Sequence, residues 1–211
     1  LSQSRAVVIT EASSPIALAT ASRLARGGDL VLMGTRRTAI CERLAARLRS
    51  GGAAAFAAYL DLDDPCSIDR FVESAAYLIG AADVLISSAG LTDDSWVGAQ
   101  HLAAQVLPPM IDNRRGDVVL ISPELVGASS GAAHRMLDIW ASGLEAEFVG
   151  TGVRASIIRS ARLGDSHMSP HDVGWLIAAA IGSPDRMHLR LIDVIAPVPA
   201  TALTVTPREC D

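Results

Sequence analysis

Ser130, His134 and Asp138 stand four residues apart, which puts a hydroxyl, an imidazole and a carboxylate on one face of a helix. A nucleophile, a base and a group to orient the base are what acyl transfer needs. Such triads gather their members from separate elements, so that an oxyanion hole forms beside the nucleophile. Nothing in this stretch supplies that hole, and a satisfied polar stripe is the simpler reading. Asp165, His167, His171 and Asp172 form a second cluster, with the histidines at a spacing zinc can use on a helix. Pro170 lies between them at what reads as a helix start, so polar residues around a cap are expected there rather than a metal. One exclusion is firm. The 18 basic residues are all arginine, so no step that needs a lysine can be assigned to these residues.

Short β-branched runs alternate with helical patterns along the chain. Ala6–Thr10, Leu30–Met33, Ala55–Leu60, Val84–Ile86, Val118–Ile121, Val153–Ile158 and Leu189–Ile195 read as strands. Helices are expected over Ile16–Arg26, Thr38–Arg49, Pro65–Ile79, Val97–Arg114, Gly131–Val149 and from Ser169 to Ile181. Asp64 before Pro65, and Ser169 before Pro170 and Asp172, are start signals, while Gly27-Gly28 and Ser50-Gly51-Gly52 are stops. Pro108-Pro109 is expected to kink or interrupt the fourth helix. Strict alternation of this kind predicts a doubly wound parallel α/β sheet of about seven strands with helices on both faces. A single Rossmann-type domain over residues 1–198, with a tail over 199–211, is expected. Ligands of such sheets bind beyond the C-terminal strand ends, so the residues after each strand carry the functional reading.

The composition agrees with one globular domain: 211 residues, half of them hydrophobic and 19% charged. A net charge of −5 gives no footprint for nucleic acid. No apolar run is long enough to span a membrane, and no basic region precedes a long apolar run, so neither an anchor nor a secretion signal is expected. Cys41, Cys66 and Cys210 are scattered without a CxxC spacing, which predicts a reduced, cytoplasmic chain.

After the first strand the chain runs Thr10-Glu11-Ala12-Ser13-Ser14-Pro15-Ile16-Ala17-Leu18-Ala19-Thr20-Ala21. This resembles the short-chain dehydrogenase/reductase motif T-G-A-S-S-G-I-G-x-A-x-A. Thr10, Ala12, Ser13, Ser14, Ile16, Ala19 and Ala21 are kept, and Glu11, Pro15 and Ala17 replace the three glycines. The resemblance continues to Val198 and implies an oxidoreductase that binds NADP. It implies that Thr10, Ser13, Ser14 and Ile16 surround the phosphates. Arg36, and after it Arg37, would contact the 2′-phosphate, because Gly34-Thr35-Arg36-Arg37 is similar to the family's A-R-R. Asp61, followed by Leu62, matches the aspartate that contacts the adenine amine. Ser88, Ala89 and Gly90 stand where the family has the end of N-N-A-G. Solvated arginines and ordinary polar turns account for these residues as well. Two replacements oppose the cofactor. Pro15 lacks the N–H that a phosphate would use at a helix start. A Glu11 carboxylate about 4 Å from a phosphate would oppose binding by up to roughly 4 kcal/mol per charge pair at an effective dielectric of 20.

The same resemblance places a Tyr-x-x-x-Lys pair on the helix after the fifth strand, where this chain has Ser130 and His134. The family's catalytic serine falls at Ser122, and Ser95 stands near its helix asparagine. The segment after the sixth strand, where the substrate lid follows, is short, from Leu163 into the Ser169 helix. A chain deficient in hydride transfer, binding a nucleotide or serving as a partner subunit, is the first expectation. A divergent NADP(H)-dependent carbonyl reductase using Ser122, Ser130 and His134 is the alternative, and a closed structural module a third. A homo- or hetero-oligomer with subunits of the same type is implied, pairing through the helices after strands four and five. Leu137, Trp140, Leu144 and Phe148 make an apolar stripe there that core packing predicts equally.

Overall fold

The computed structural model describes residues 4–88, 93–122, 128–160, 169–184 and 186–194, apart from the side chains of 93, 94, 128–134 and 160. Seven parallel strands follow the order β3-β2-β1-β4-β5-β6-β7. They are β1 (Ala6–Ile9), β2 (Leu30–Thr35), β3 (Ala55–Tyr59), β4 (Val84–Ser87), β5 (Gly116–Ile121), β6 (Val153–Ser160) and β7 (Leu191–Val194). Six helices join them: α1 (Pro15–Arg26), α2 (Thr38–Ser50), α3 (Pro65–Leu78), α4 (Asp93–Asp112), α5 (Ala128–Phe148) and α6 (Pro170–Ile181).

The strands are apolar on both faces, and the side-chain period of two sends alternate residues to two cores. Ala6, Val8, Leu32, Leu85, Val118 and Leu120 pack with Phe71 of α3, Met110 of α4 and Leu137 of α5. Val7, Ile9, Val31, Met33, Ile86 and Ile121 face the other way, onto Ala21 of α1, Cys41 of α2 and Ile177 of α6. The stripe Leu137, Trp140, Leu144 and Phe148 lies wholly in the first core, so it serves packing within the chain. Trp140 meets Trp96 edge to face, with ring centroids 5.1 Å apart.

Pro108 and Pro109 do not interrupt α4. They fall in its closing turns, and the Asn113 N–H still donates to the Pro109 carbonyl at 3.0 Å, so the helical bonding runs past them. The expected starts of α4 at Val97 and α5 at Gly131 are late, because both helices begin in small or polar residues without an apolar period. The N-terminal caps are as expected. Asp64 accepts from the Cys66 N–H at 3.0 Å, and the Asp172 carboxylate accepts from the Ser169 N–H at 2.8 Å. The chain order reverses between β1 and β4, which opens the crevice where ligands of doubly wound sheets bind.

Candidate active site

Thr10 follows β1, is wholly buried, and ties the crevice together. Its N–H donates to Ile86 O at 3.0 Å, and its Oγ1 accepts from the Ser88 N–H at 3.3 Å. The Ala12 N–H donates to Gly34 O at 3.0 Å, which anchors the following turn to β2. Between these anchors Glu11 takes φ +47°, a left-handed conformation that glycine adopts freely and a glutamate does not. The turn has kept its shape while losing the residue suited to it. Burial pushes the Glu11 carboxyl above its ordinary value, opposed by the Arg36 and Arg37 guanidiniums and reinforced by Asp63 and Asp61.

Ser14 caps α1, its Oγ accepting from the Ala17 N–H at 3.2 Å. Pro15 at the first position brings no N–H. Two of the groups that a phosphate would use at this helix start are therefore absent or already bonded. Ile16 is buried against the sheet, leaving only its backbone to face a ligand. The pyrophosphate end of a dinucleotide does not fit these residues well.

The residues expected at an adenosine end come together more closely. Ser13, Arg36 and Arg37 line one cleft of about 450 Å³ with Thr38, Ile40 and Arg43. The Arg37 N–H donates to Thr35 Oγ1 at 3.1 Å. Arg36 already has acidic partners, for its Nη1 lies 3.3 Å from Asp63 Oδ2 and 3.7 Å from Asp61 Oδ1. Asp61 is held in place by its own backbone, its N–H donating to Ser67 Oγ at 2.9 Å, and its Oδ1 accepts from the Asp63 N–H at 3.1 Å. The expected contacts Arg36 and Asp61 thus converge, though on each other. Sequence reasoning missed Asp63 as the nearest partner of Arg36. The side chain of Leu62 points into the core, against the face where α4 passes.

Of the residues expected at a catalytic end, Ser122 follows β5 and is 1% exposed. Its N–H donates to Ile158 O at 2.9 Å, which fixes it at the C-terminal edge of the sheet. Residues 130, 134 and 138 all lie in α5, one turn apart. The side chains of Ser130 and His134 lie outside the described residues, as do Ala89, Gly90, Asp165 and His167. Asp138 Oδ1 accepts from Arg159 Nη2 of β6, so this carboxylate is engaged with the sheet. Arg159 Nη1 also lies 3.8 Å from Asp193 Oδ1. Arg159 was not singled out from sequence; its one signal is a charge closing a buried strand. The tyrosines stand on other elements: Tyr59 ends β3 with its hydroxyl 3.5 Å from Asp61 Oδ2, and Tyr77 is exposed on α3.

A second polar cavity, about 220 Å³, opens at the opposite end of the sheet beside Arg5 and Arg154. It is a structural lattice. Arg5 Nη2 meets Asp29 at 2.8 Å, and Arg154 forks onto Asp117 at 2.8 and 3.0 Å. Burial of Asp117 nevertheless raises its carboxyl above the usual range, against the pull of Arg154.

The family model described as short chain dehydrogenase matches residues 5–159. A 1-deoxy-11-beta-hydroxypentalenate dehydrogenase of Streptomyces exfoliatus is 31% identical over 230 residues, covering 89% of this chain and 82% of that protein. That alignment is longer than the 211 residues of the chain, so the relative carries internal segments with no counterpart here. A metagenomic short-chain oxidoreductase in complex with NADP superposes with a TM-score of 0.77 at 22% identity, over 92% of this chain and 98% of that one. Actinorhodin polyketide ketoreductase with NADPH gives 0.77 at 20% identity, over 90% of this chain and 95% of that one. The matched stretch takes in the crevice turn, the Arg36–Asp61 pair and the whole of α5, and on this the chain belongs to the short-chain dehydrogenase family.

Proposed function

We propose that this member of an oxidoreductase family is deficient in ordinary hydride transfer and acts as a nucleotide-binding or partner subunit. The observation that carries the reading is the pair Ser130 and His134 where the family's tyrosine and lysine belong, in a chain without any lysine. Tyrosine in that place passes a proton to the carbonyl oxygen, and the lysine lowers its pKa. Serine titrates far too high to replace it at neutral pH. Glu11 and Pro15 add to the case, one bringing a carboxylate and the other removing a donor where pyrophosphate would lie. Ser13, Arg36 and Arg37 in one cleft, with Asp61 3.7 Å from Arg36, support retention of an adenosine contact, with NADP the dinucleotide that two arginines favour.

A second reading rests on Ser122, which is buried at the sheet edge and stands near the position that the motif count gives for the family's catalytic serine. In this reading His134 donates the proton with Ser130 one turn away, and the chain is a divergent NADP(H)-dependent carbonyl reductase. Spectrophotometric assay of NADPH oxidation with a panel of ketones separates the two. No turnover above background is expected. Turnover that disappears in His134→Ala would replace the first reading with the second.

A further inference from the structure

We propose that the arginine-rimmed groove between α1 and α2 is a docking site for an acidic, amphipathic protein segment. Eight of the 18 arginines fall within residues 4–52, against three acidic residues, Glu11, Asp29 and Glu42. Asp29 is paired with Arg5 at 2.8 Å, and Glu11 is half-buried on the side of Arg36 and Arg37. Glu42 is therefore the one fully exposed acid of that stretch, in a chain whose overall charge is −5. The charge is segregated, and three of these eight arginines line one feature.

That feature is a groove of about 470 Å³ with an apolar floor of Leu18, Ile40 and Leu44 and a rim of Arg26, Arg43 and Arg47. Among the described residues none of these three arginines takes part in an ion pair. Arg26 stands in the last turn of α1 and Arg47 in that of α2, where cations favour the helix dipole. The dipole does not account for Arg43 in mid-helix, nor for three guanidiniums around one apolar recess. Carboxylates answer guanidiniums in bidentate geometry, and apolar side chains between them would cover the floor.

Other occupants match less well. Single-stranded nucleic acid stacks its bases on successive aromatic platforms, and the groove lining has no Phe, Tyr or Trp and a single imidazole, His171. A membrane needs several protruding apolar side chains, and Ile40 is the one exposed large hydrophobic of this lining, with Leu18 and Leu44 half-buried. A second copy would have to bring a different, acidic face to this basic one, because a two-fold contact would set the same arginines against each other. The groove lies between α1 and α2 with Pro170 and His171 of α6 at one side, and it shares Ile40 and Arg43 with the cleft beside Arg36, so the NADPH affinity of each variant is measured beside its peptide affinity to keep the two readings apart.

The test is fluorescence anisotropy of the whole chain with a labelled helical peptide of about 15 residues, leucine on one face and glutamate on the other. Binding at about 1–10 μM is expected, about tenfold or more weaker in Arg43→Glu with Arg47→Glu and retained in Arg43→Lys with Arg47→Lys. The same peptide with glutamine for glutamate should also bind at least about tenfold more weakly. Absence of binding, or binding unchanged in the Glu variant, overturns the proposal. So does equal or tighter binding of duplex DNA or of phosphatidylserine vesicles. Salt-sensitive self-association in sedimentation, abolished by the same Glu variant, would assign the groove to a second copy instead.

Discussion

At the scale of single residues, Glu11 concentrates the chemistry of the site. Its left-handed φ of +47° is strain that glycine would not carry, at about 1 kcal/mol or more. Glu11→Gly should therefore raise the melting temperature, and a lower one would contradict the strain. The charge can be separated from the strain with Glu11→Gln. Burial lifts the Glu11 carboxyl above 4.5, so the folded protein holds that proton more tightly than the unfolded chain. Ionised Glu11 thus opposes folding at neutral pH, and the opposition fades as pH falls toward 4.5. Glu11→Gln should be more stable than the parent at pH 7, with the advantage shrinking on acidification; a pH-independent difference would show that desolvation of the charge is not the cause. Arg36 offers a second handle. Asp63, 3.3 Å away, competes with any phosphate for that guanidinium. Asp63→Asn should tighten binding of 2′,5′-ADP by about two- to fivefold, the range of one exposed ion pair. Neither relation was legible in the sequence. The substitutions at 11 and 15 were visible against the motif, but Glu11, Arg36 and Asp63 lie on three chain segments that only the parallel β1-β2-β3 order brings together. Cys41, in contrast, reads the same in both views, a small core residue whose thiol burial pushes up to about 11, leaving it unreactive at neutral pH.

At the scale of elements, the strands were easiest to read because buried parallel strands are runs of Val, Ile and Leu bounded by polar turns. Helix starts were legible where a cap residue stands before proline, at Asp64 and Ser169. They were missed at α4 and α5, whose first turns lack apolar periodicity. Pro108-Pro109 shows the limit of a local rule, since packing of Val106, Leu107 and Met110 in the core holds α4 helical through both prolines. α4 is also bound to the site through Gly98. A Cβ there would lie 1.7 Å from the Leu62 carbonyl oxygen, a clash with backbone that cannot rotate away. Gly98→Ala should destabilise the chain by about 3 kcal/mol or prevent folding, measured by denaturant midpoint. A change below about 0.5 kcal/mol would mean that α4 can slide and that the Asp61-Leu62 corner is not clamped.

At the scale of the whole molecule, one sheet serves two ends with different purposes. The N-terminal end is closed by charge pairs, Arg5 with Asp29 and Arg154 with Asp117, whose guanidiniums also donate to carbonyls of Ile181 and Met187 at 2.8 Å. The C-terminal end holds the crevice at the β1–β4 reversal, where the described strands keep the doubly wound order and the turn after β1 carries Glu11 and Pro15. Fold and family were legible because both rest on order and spacing across the chain. Function was less so, because it rests on a handful of replaced residues whose effect depends on what the fold sets beside them. The most direct measurement is a calorimetric titration of NADPH into the parent chain and into Glu11→Gly with Pro15→Gly. Restoring both glycines removes the carboxylate and returns an N–H, so the double variant should bind at least about tenfold more tightly than the parent. Equal, tight binding by the parent and the variant would show that the altered turn still cradles pyrophosphate, and would contradict the account.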